Sequence, residues 1–220
     1  MRAKSTFSRV QQLSLSLFTM LVMATTALAG NQDPLSPNEQ LQASTLVEST
    51  LPSLKTKSSS NQYELLLVER DRSEDKKSGA RRSNAFVYDY QTDETIVYRI
   101  DTATNKILSS VRRKNLQLPL TENEIARTVN LIFADKETFE LIANEYQRIT
   151  GKVLNSSKDL EAKAFVFTAD TLPEQLNSAS QQCGLHRCAQ ILLYTHDSVV
   201  FEVSPVVNLS ANLITQVIGF

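Results

Sequence analysis

Apolar and polar positions alternate through Tyr88, Tyr90, Ile96, Tyr98 and Ile100. That two-residue period is the pattern of half-buried strands. Around it the chain predicts strands over Tyr63–Arg70, Ser83–Tyr90, Thr95–Ile100 and Lys106–Arg113, with turns at Gln91–Glu94 and Asp101–Asn105. A second set follows: Leu160–Thr168, Arg187–Thr195, Val199–Ser204 and Leu213–Phe220, with turns at His196–Ser198 and Asn208–Asn212. Asp101-Thr-Ala-Thr-Asn105 and Asn208-Leu-Ser-Ala-Asn212 match in place and type.

A helix precedes each set. Pro34-Leu-Ser-Pro-Asn-Glu-Gln40 and Pro119-Leu-Thr-Glu-Asn-Glu-Ile125 read alike. Each offers an N-cap hydroxyl, Ser36 or Thr121, and a glutamate three residues on, Glu39 or Glu124. This is a capping box, in which each side chain satisfies the other residue's backbone N–H. Pro37 sits at the first helical position, where a missing N–H costs nothing. Leu120 and Ile125 fit a hydrophobic staple. Helices are expected over 37–50 and 122–134. The second set gains another, from an Asp135 cap to Arg148, with Phe139, Leu141 and Ile142 on one side and Gly151 as its stop.

The expected fold is therefore α+β: two tandem repeats of a helix packed on a four-stranded antiparallel sheet. Residues 30–118 form the first repeat and 119–220 the second. Pro52–Asn61 reads as a Ser/Lys-rich loop, and Arg112–Pro119 as a linker.

The first 29 residues read as an address. Arg2, Lys4 and Arg9 form a positive start, Leu13–Leu28 is apolar, and Ala27-Leu28-Ala29 is a cleavage site. That is the layout of a signal peptide, and the stretch is short for a membrane anchor. The expected location is secreted or periplasmic, with no integral membrane segment after cleavage. Without the leader the chain carries 20 basic and 24 acidic residues, the wrong balance for a nucleic-acid binder.

Cys183 and Cys188 bracket Gly-Leu-His-Arg. Outside the cytoplasm so close a pair reads first as a disulfide closing a small loop. A redox-active pair usually has two residues between its cysteines and a helix start beside them. A metal site using His186 is one ligand short, unless His196 is brought back. The other candidates are weaker. Five glycines build neither a nucleophile elbow nor a phosphate loop. His196-Asp197 and Asp93-Glu94 fall in turns, where such residues are at home. The charged stretch Glu69–Arg82 reads as a loop, with partner docking as its functional alternative. Phe86, Tyr88, Tyr90 and Tyr98 are expected to pack under the first helix, a ligand groove being the alternative.

Taken together, Pro34–Glu48, Arg82–Arg113, Pro119–Leu131 and Asp135–Gly151 resemble the small N-terminal (N2- and N3-like) domains of copper amine oxidases. The resemblance implies a peripheral scaffold rather than chemistry. That family builds its quinone from a Tyr after an Asn and holds copper with a His-x-His pair and a third His. No tyrosine here follows an asparagine, and the two histidines lie ten apart. No catalytic, cofactor or metal residue carries over, and no cofactor is expected. The expectation is a non-catalytic binding or assembly module whose partner is a protein, with a catalytic amine oxidase chain as the candidate. The alternatives are an accessory chain of a split amine oxidase and a thiol-redox or metal-handling protein using Cys183 and Cys188.

Overall fold

The computed structural model describes residues 33–51, 62–73, 79–171 and 176–219. The expected signal peptide, the loop at 52–61 and part of the charged stretch lie outside the described residues.

Helix α1 spans Pro37–Thr50. It is followed by strands β1 (Tyr63–Arg70), β2 (Arg82–Asp89), β3 (Glu94–Asp101) and β4 (Lys106–Lys114). Then come α2 (Glu122–Ala134), α3 (Lys136–Thr150), β5 (Glu161–Phe167), β6 (Cys188–Tyr194), β7 (Ser204–Asn208) and β8 (Leu213–Ile218). The strands form two four-stranded antiparallel sheets, each ordered as in the chain: β1-β2-β3-β4 and β5-β6-β7-β8. The fold is α+β.

Both helix starts carry the capping box. The Glu39 N–H donates to Ser36 Oγ and the Ser36 N–H to Glu39 Oε2 at 2.7 Å. The Glu124 N–H donates to Thr121 Oγ1, and the Thr121 N–H to Glu124 Oε2 at 2.8 Å. Asp135 ends α2 and caps α3, accepting from the Thr138 N–H at 2.9 Å. Gly151, with φ +70°, ends α3 in the left-handed region that glycine tolerates.

The two sheets share local detail. The Asp101 carboxylate accepts from the Thr104 N–H at 2.8 Å, and the Asn208 side-chain Oδ1 from the Ala211 N–H at 2.9 Å. Asn105 and Asn212 close these turns with φ of 50° and 54°, a conformation Asn adopts more readily than most residues. Register shifts fall between Arg99 and Ile100 and between Val206 and Val207, just before each turn.

α1 buries Ala43 and Val47, one turn apart, against Ala85, Val87, Ile96, Tyr98 and Ile100. α2 and α3 bury Ile132, Ile142 and Tyr146 against Ala189, Ile191, Leu193 and Val207. The opposite face of the first sheet carries a cross-strand row, Leu67–Phe86–Val97–Val111, whose outer members Leu67 and Val111 are exposed. Strand β4 is an edge, solvent-exposed at every position but Ile107.

Four expectations need correction. The seventh strand is not Val199–Ser204 but Ser204–Asn208; only Val200 bridges back to Tyr194. Residues 195–199 turn by internal hydrogen bonds, from Ser198 N–H to Thr195 O and Thr195 N–H to Val199 O, so the apolar run starts before pairing does. The tyrosine cluster divides. Tyr98 packs under α1, while Tyr88 and Tyr90 join the core of the second unit, because alternation places Tyr88 on the opposite face from Val87. Leu141 is 47% exposed while Ile142 is fully buried, as the helical step of about 100° per residue requires once Ile142 and Tyr146 face the sheet. Arg112–Lys114 belongs to β4 rather than to the linker.

Candidate functional site

The chemistry of this molecule gathers where the two units meet. Its centre is Arg187, immediately before β6, with no solvent exposure. Its guanidinium grips Glu124, the capping-box glutamate of α2, with Nε on Oε1 and Nη2 on Oε2, the latter at 2.8 Å. The remaining donors reach Gln117 Oε1 at 3.1 Å, Leu118 O at 3.0 Å and Pro119 O at 3.0 Å. A fork of fixed donors suits this arrangement, and a lysine could not reproduce it.

The first unit contributes the rest. Tyr90 donates its hydroxyl to Glu124 Oε1 at 2.6 Å. The Tyr88 ring lies 5.4 Å from the Arg187 guanidinium, and its hydroxyl donates to Asp93 at 2.9 Å. Ser210 donates to the same carboxylate. Glu64 of β1 accepts from Thr121 Oγ1 at 2.7 Å and Asn123 Nδ2 at 3.3 Å. Arg127 stacks on Tyr90, 4.4 Å from the ring centroid, with its buried Nε and Nη2 outside any hydrogen bond among the described residues. A guanidinium over a tyrosine face is attracted by the ring's electron density.

The electrostatics follow from this geometry. Burial alone would raise the Glu124 pKa, but the hydrogen bonds and charge of Arg187 outweigh it and the carboxyl is held below its ordinary value. Burial opposes the charge of Arg187 as well, and Glu124 overcomes it, so the arginine stays protonated. Burial, then the charge of Glu124, pushes the Tyr90 hydroxyl up. It therefore stays a neutral donor at physiological pH.

The same clasp recurs in the first unit. Arg81, immediately before β2, donates Nε to Glu39 Oε1 and Nη2 to Glu39 Oε2 at 2.8 Å. Its Nη1 and Nη2 reach Asp33 O at 3.1 Å and Pro34 O at 2.9 Å. Each helix start is thus pinned to its sheet by an arginine one residue ahead of the second strand. These hydrogen bonds and the Arg81 charge bring the Glu39 carboxyl down to about 2. The sign of the pH effect is fixed by that direction. A carboxyl with a lowered folded-state pKa stabilises above its unfolded pKa and loses that contribution as pH falls through the folded one. We expect the urea midpoint to hold steady above about pH 5 and to fall between about pH 4.5 and pH 2. Glu39→Gln should flatten part of that fall; a midpoint that rises on acidification would contradict it.

Cys183 and Cys188 are joined as a disulfide, with Cα atoms 5.4 Å apart. His186, in the loop they close, lies 3.9 Å from Asp93 Oδ2 and 3.3 Å from Asn208 Nδ2. His196 sits elsewhere, between Glu161 Oε1 and Lys158 O, both at 3.1 Å. It lines a cleft of about 400 Å³ with Tyr146, Thr150, Asp159 and Asp197. Among the described residues, no three His, Cys, Asp or Glu side chains are placed to hold a metal. Ser36, Glu39, Thr121 and Glu124 all sit at helix starts, and only Glu124 and Thr121 also reach the other unit. The sequence places Tyr90 in an aromatic cluster and Asp93 in a turn, without linking either to the junction, and it marks neither Arg81 nor Arg187 as a site residue. The usable signal was an arginine heading the second strand of each repeat, paired with the repeated glutamate.

Among proteins of known structure, the chain is similar to a copper-containing benzylamine oxidase from Hansenula polymorpha, with a TM-score of 0.53 at 12% identity. The likeness covers 87% of this chain and 30% of that one, so the chain spans under a third of that enzyme's length. At that identity it shows a shared fold. No family model matches the chain, and no curated protein matches it.

Proposed function

We propose that this chain is a secreted or periplasmic, non-catalytic binding or assembly module, built like the N-terminal domains of copper amine oxidases. The observation that carries the reading is the fold match, which takes in nearly all of this chain but only 30% of the benzylamine oxidase. The sequence agrees with it, having no Asn-Tyr pair and no His-x-His pair. The disulfide, and the absence of any helix long and apolar enough to cross a membrane among the described residues, are compatible with an extracellular or periplasmic location. The exposed ends of the row Leu67–Phe86–Val97–Val111 add support, since apolar surface left in water favours association. The partner is a larger protein chain, with a catalytic amine oxidase chain as the first candidate.

Native mass spectrometry of the chain recovered from the periplasm or culture fluid tests this. The expected species is a stoichiometric complex with a larger polypeptide. Recovery as a free monomer overturns the assembly role. Hydrogen peroxide released from benzylamine by the purified chain with copper added overturns the non-catalytic role.

A further inference from the structure

We propose that the Cys183–Cys188 disulfide is a redox-governed latch on one side of the junction: closed, it holds the 184–187 loop against the linker and the β2–β3 turn; open, it loosens that side without unfolding either unit. This inference stands apart from the assembly role and rests on how the loop is used.

Three of the four residues between the cysteines are committed at the junction. Gly184 O accepts from the linker's Gln117 Nε2 at 3.3 Å. His186 faces Asp93 in the β2–β3 turn. Arg187 lies against Tyr88 and binds the linker carbonyls of Leu118 and Pro119. Only Leu185 points to solvent, at 58% exposure. The sulfur atoms anchor this loop to the back of the second sheet, where Cys183 and Cys188 pack with Phe167, Val206 and Ile218.

The clasp in the first unit acts as an internal control. Arg81 holds Glu39 and two carbonyls in the same way, with no disulfide. The arginine–glutamate clasp therefore needs no cross-link to form. The cross-link occurs at the one clasp that faces another unit, and what it adds is the fixed position of Gly184 and His186 against the linker and Asp93. Losing it should loosen the junction and leave the clasp closed.

Opening the latch requires a dithiol reductant. Its thiolate attacks one sulfur and forms a mixed disulfide; its second thiol then displaces the protein sulfur. The S–S bond breaks, Cys183 and Cys188 each gain one electron and one proton, and the reductant leaves as its own disulfide. With exposures of 3% and 1%, the two cysteines are reached slowly by such a reagent unless the loop opens first.

Hydrogen exchange read by mass spectrometry on the whole mature chain tests the latch. The comparison is between oxidised protein, protein reduced with dithiothreitol, and the Cys183→Ala/Cys188→Ala double variant. Exchange in segments 90–93 and 115–121 should rise about tenfold in both treated samples, while strands β2, β3 and β6 hold their protection. Reoxidation should restore the slow exchange. His186→Ala, which removes the loop's contact with Asp93 and leaves the Tyr88 and Ser210 hydrogen bonds to that carboxylate in place, should reproduce the effect at 90–93 with the disulfide intact. Unchanged exchange at 90–93 and 115–121 overturns the latch. Acceleration throughout the second sheet overturns it too, because the disulfide would then serve the stability of that unit.

Discussion

Replacing Arg187 by alanine should lower the unfolding free energy by about 3–5 kcal/mol, the cost of leaving a buried charge without its partner. Glu124 is 1% exposed and would lose both charge-assisted hydrogen bonds to the guanidinium. Gln117 and the carbonyls of Leu118 and Pro119 would lose donors in the same step. Arg187→Lys should recover only a small part, since the three donors on one ammonium nitrogen cannot span the five acceptors that the guanidinium fork reaches. Arg187→Met combined with Glu124→Gln should be much less harmful than the single change, because it removes the orphaned charge along with its partner. Urea unfolding of the four proteins gives the comparison. A loss below about 1 kcal/mol for Arg187→Ala would mean that water reaches Glu124 and that the junction is looser than its geometry.

The second large effect lies one residue away from a null. Ile142→Ala should cost about 2–5 kcal/mol, because the side chain is fully buried between α3 and the second sheet and its removal leaves a cavity. Leu141→Ala should stay within about 0.5 kcal/mol, since that side chain is largely in solvent. Thermal unfolding of the two variants side by side checks the orientation of α3. Equal losses would mean that the helix is rotated.

Much of the fold was legible because it is written in local terms. The capping boxes at Ser36/Glu39 and Thr121/Glu124 depend on residues three apart, and the turns at Asp101–Asn105 and Asn208–Asn212 on residues three or four apart. Strand limits in the first sheet follow from alternation and fall within a residue or so of their sequence-derived positions. The strand expected at Val199–Ser204 slipped because apolarity marks burial, not pairing. Phe201 is buried in the core yet lies outside any strand. The division of the tyrosines was illegible for a different reason. Alternation gives two faces, but which face meets which unit is decided by how the units pack. The same holds for the junction. Arg187 lies 63 residues from Glu124, and Ser210 lies 117 from Asp93. No local rule ties such positions. The repeat itself offered the one hint, an arginine at the head of the second strand in both copies.

Strand β4 has a consequence for behaviour in a crowded compartment. It is an open edge, ready by geometry to pair with another strand. Two copies meeting there in antiparallel register, centred on Ser110, would set Lys114 against Lys106 at each end of the ladder. Like charges held opposite one another repel. The lysines at the two ends of β4 thus oppose antiparallel self-pairing along this edge, and leave it available without making it sticky.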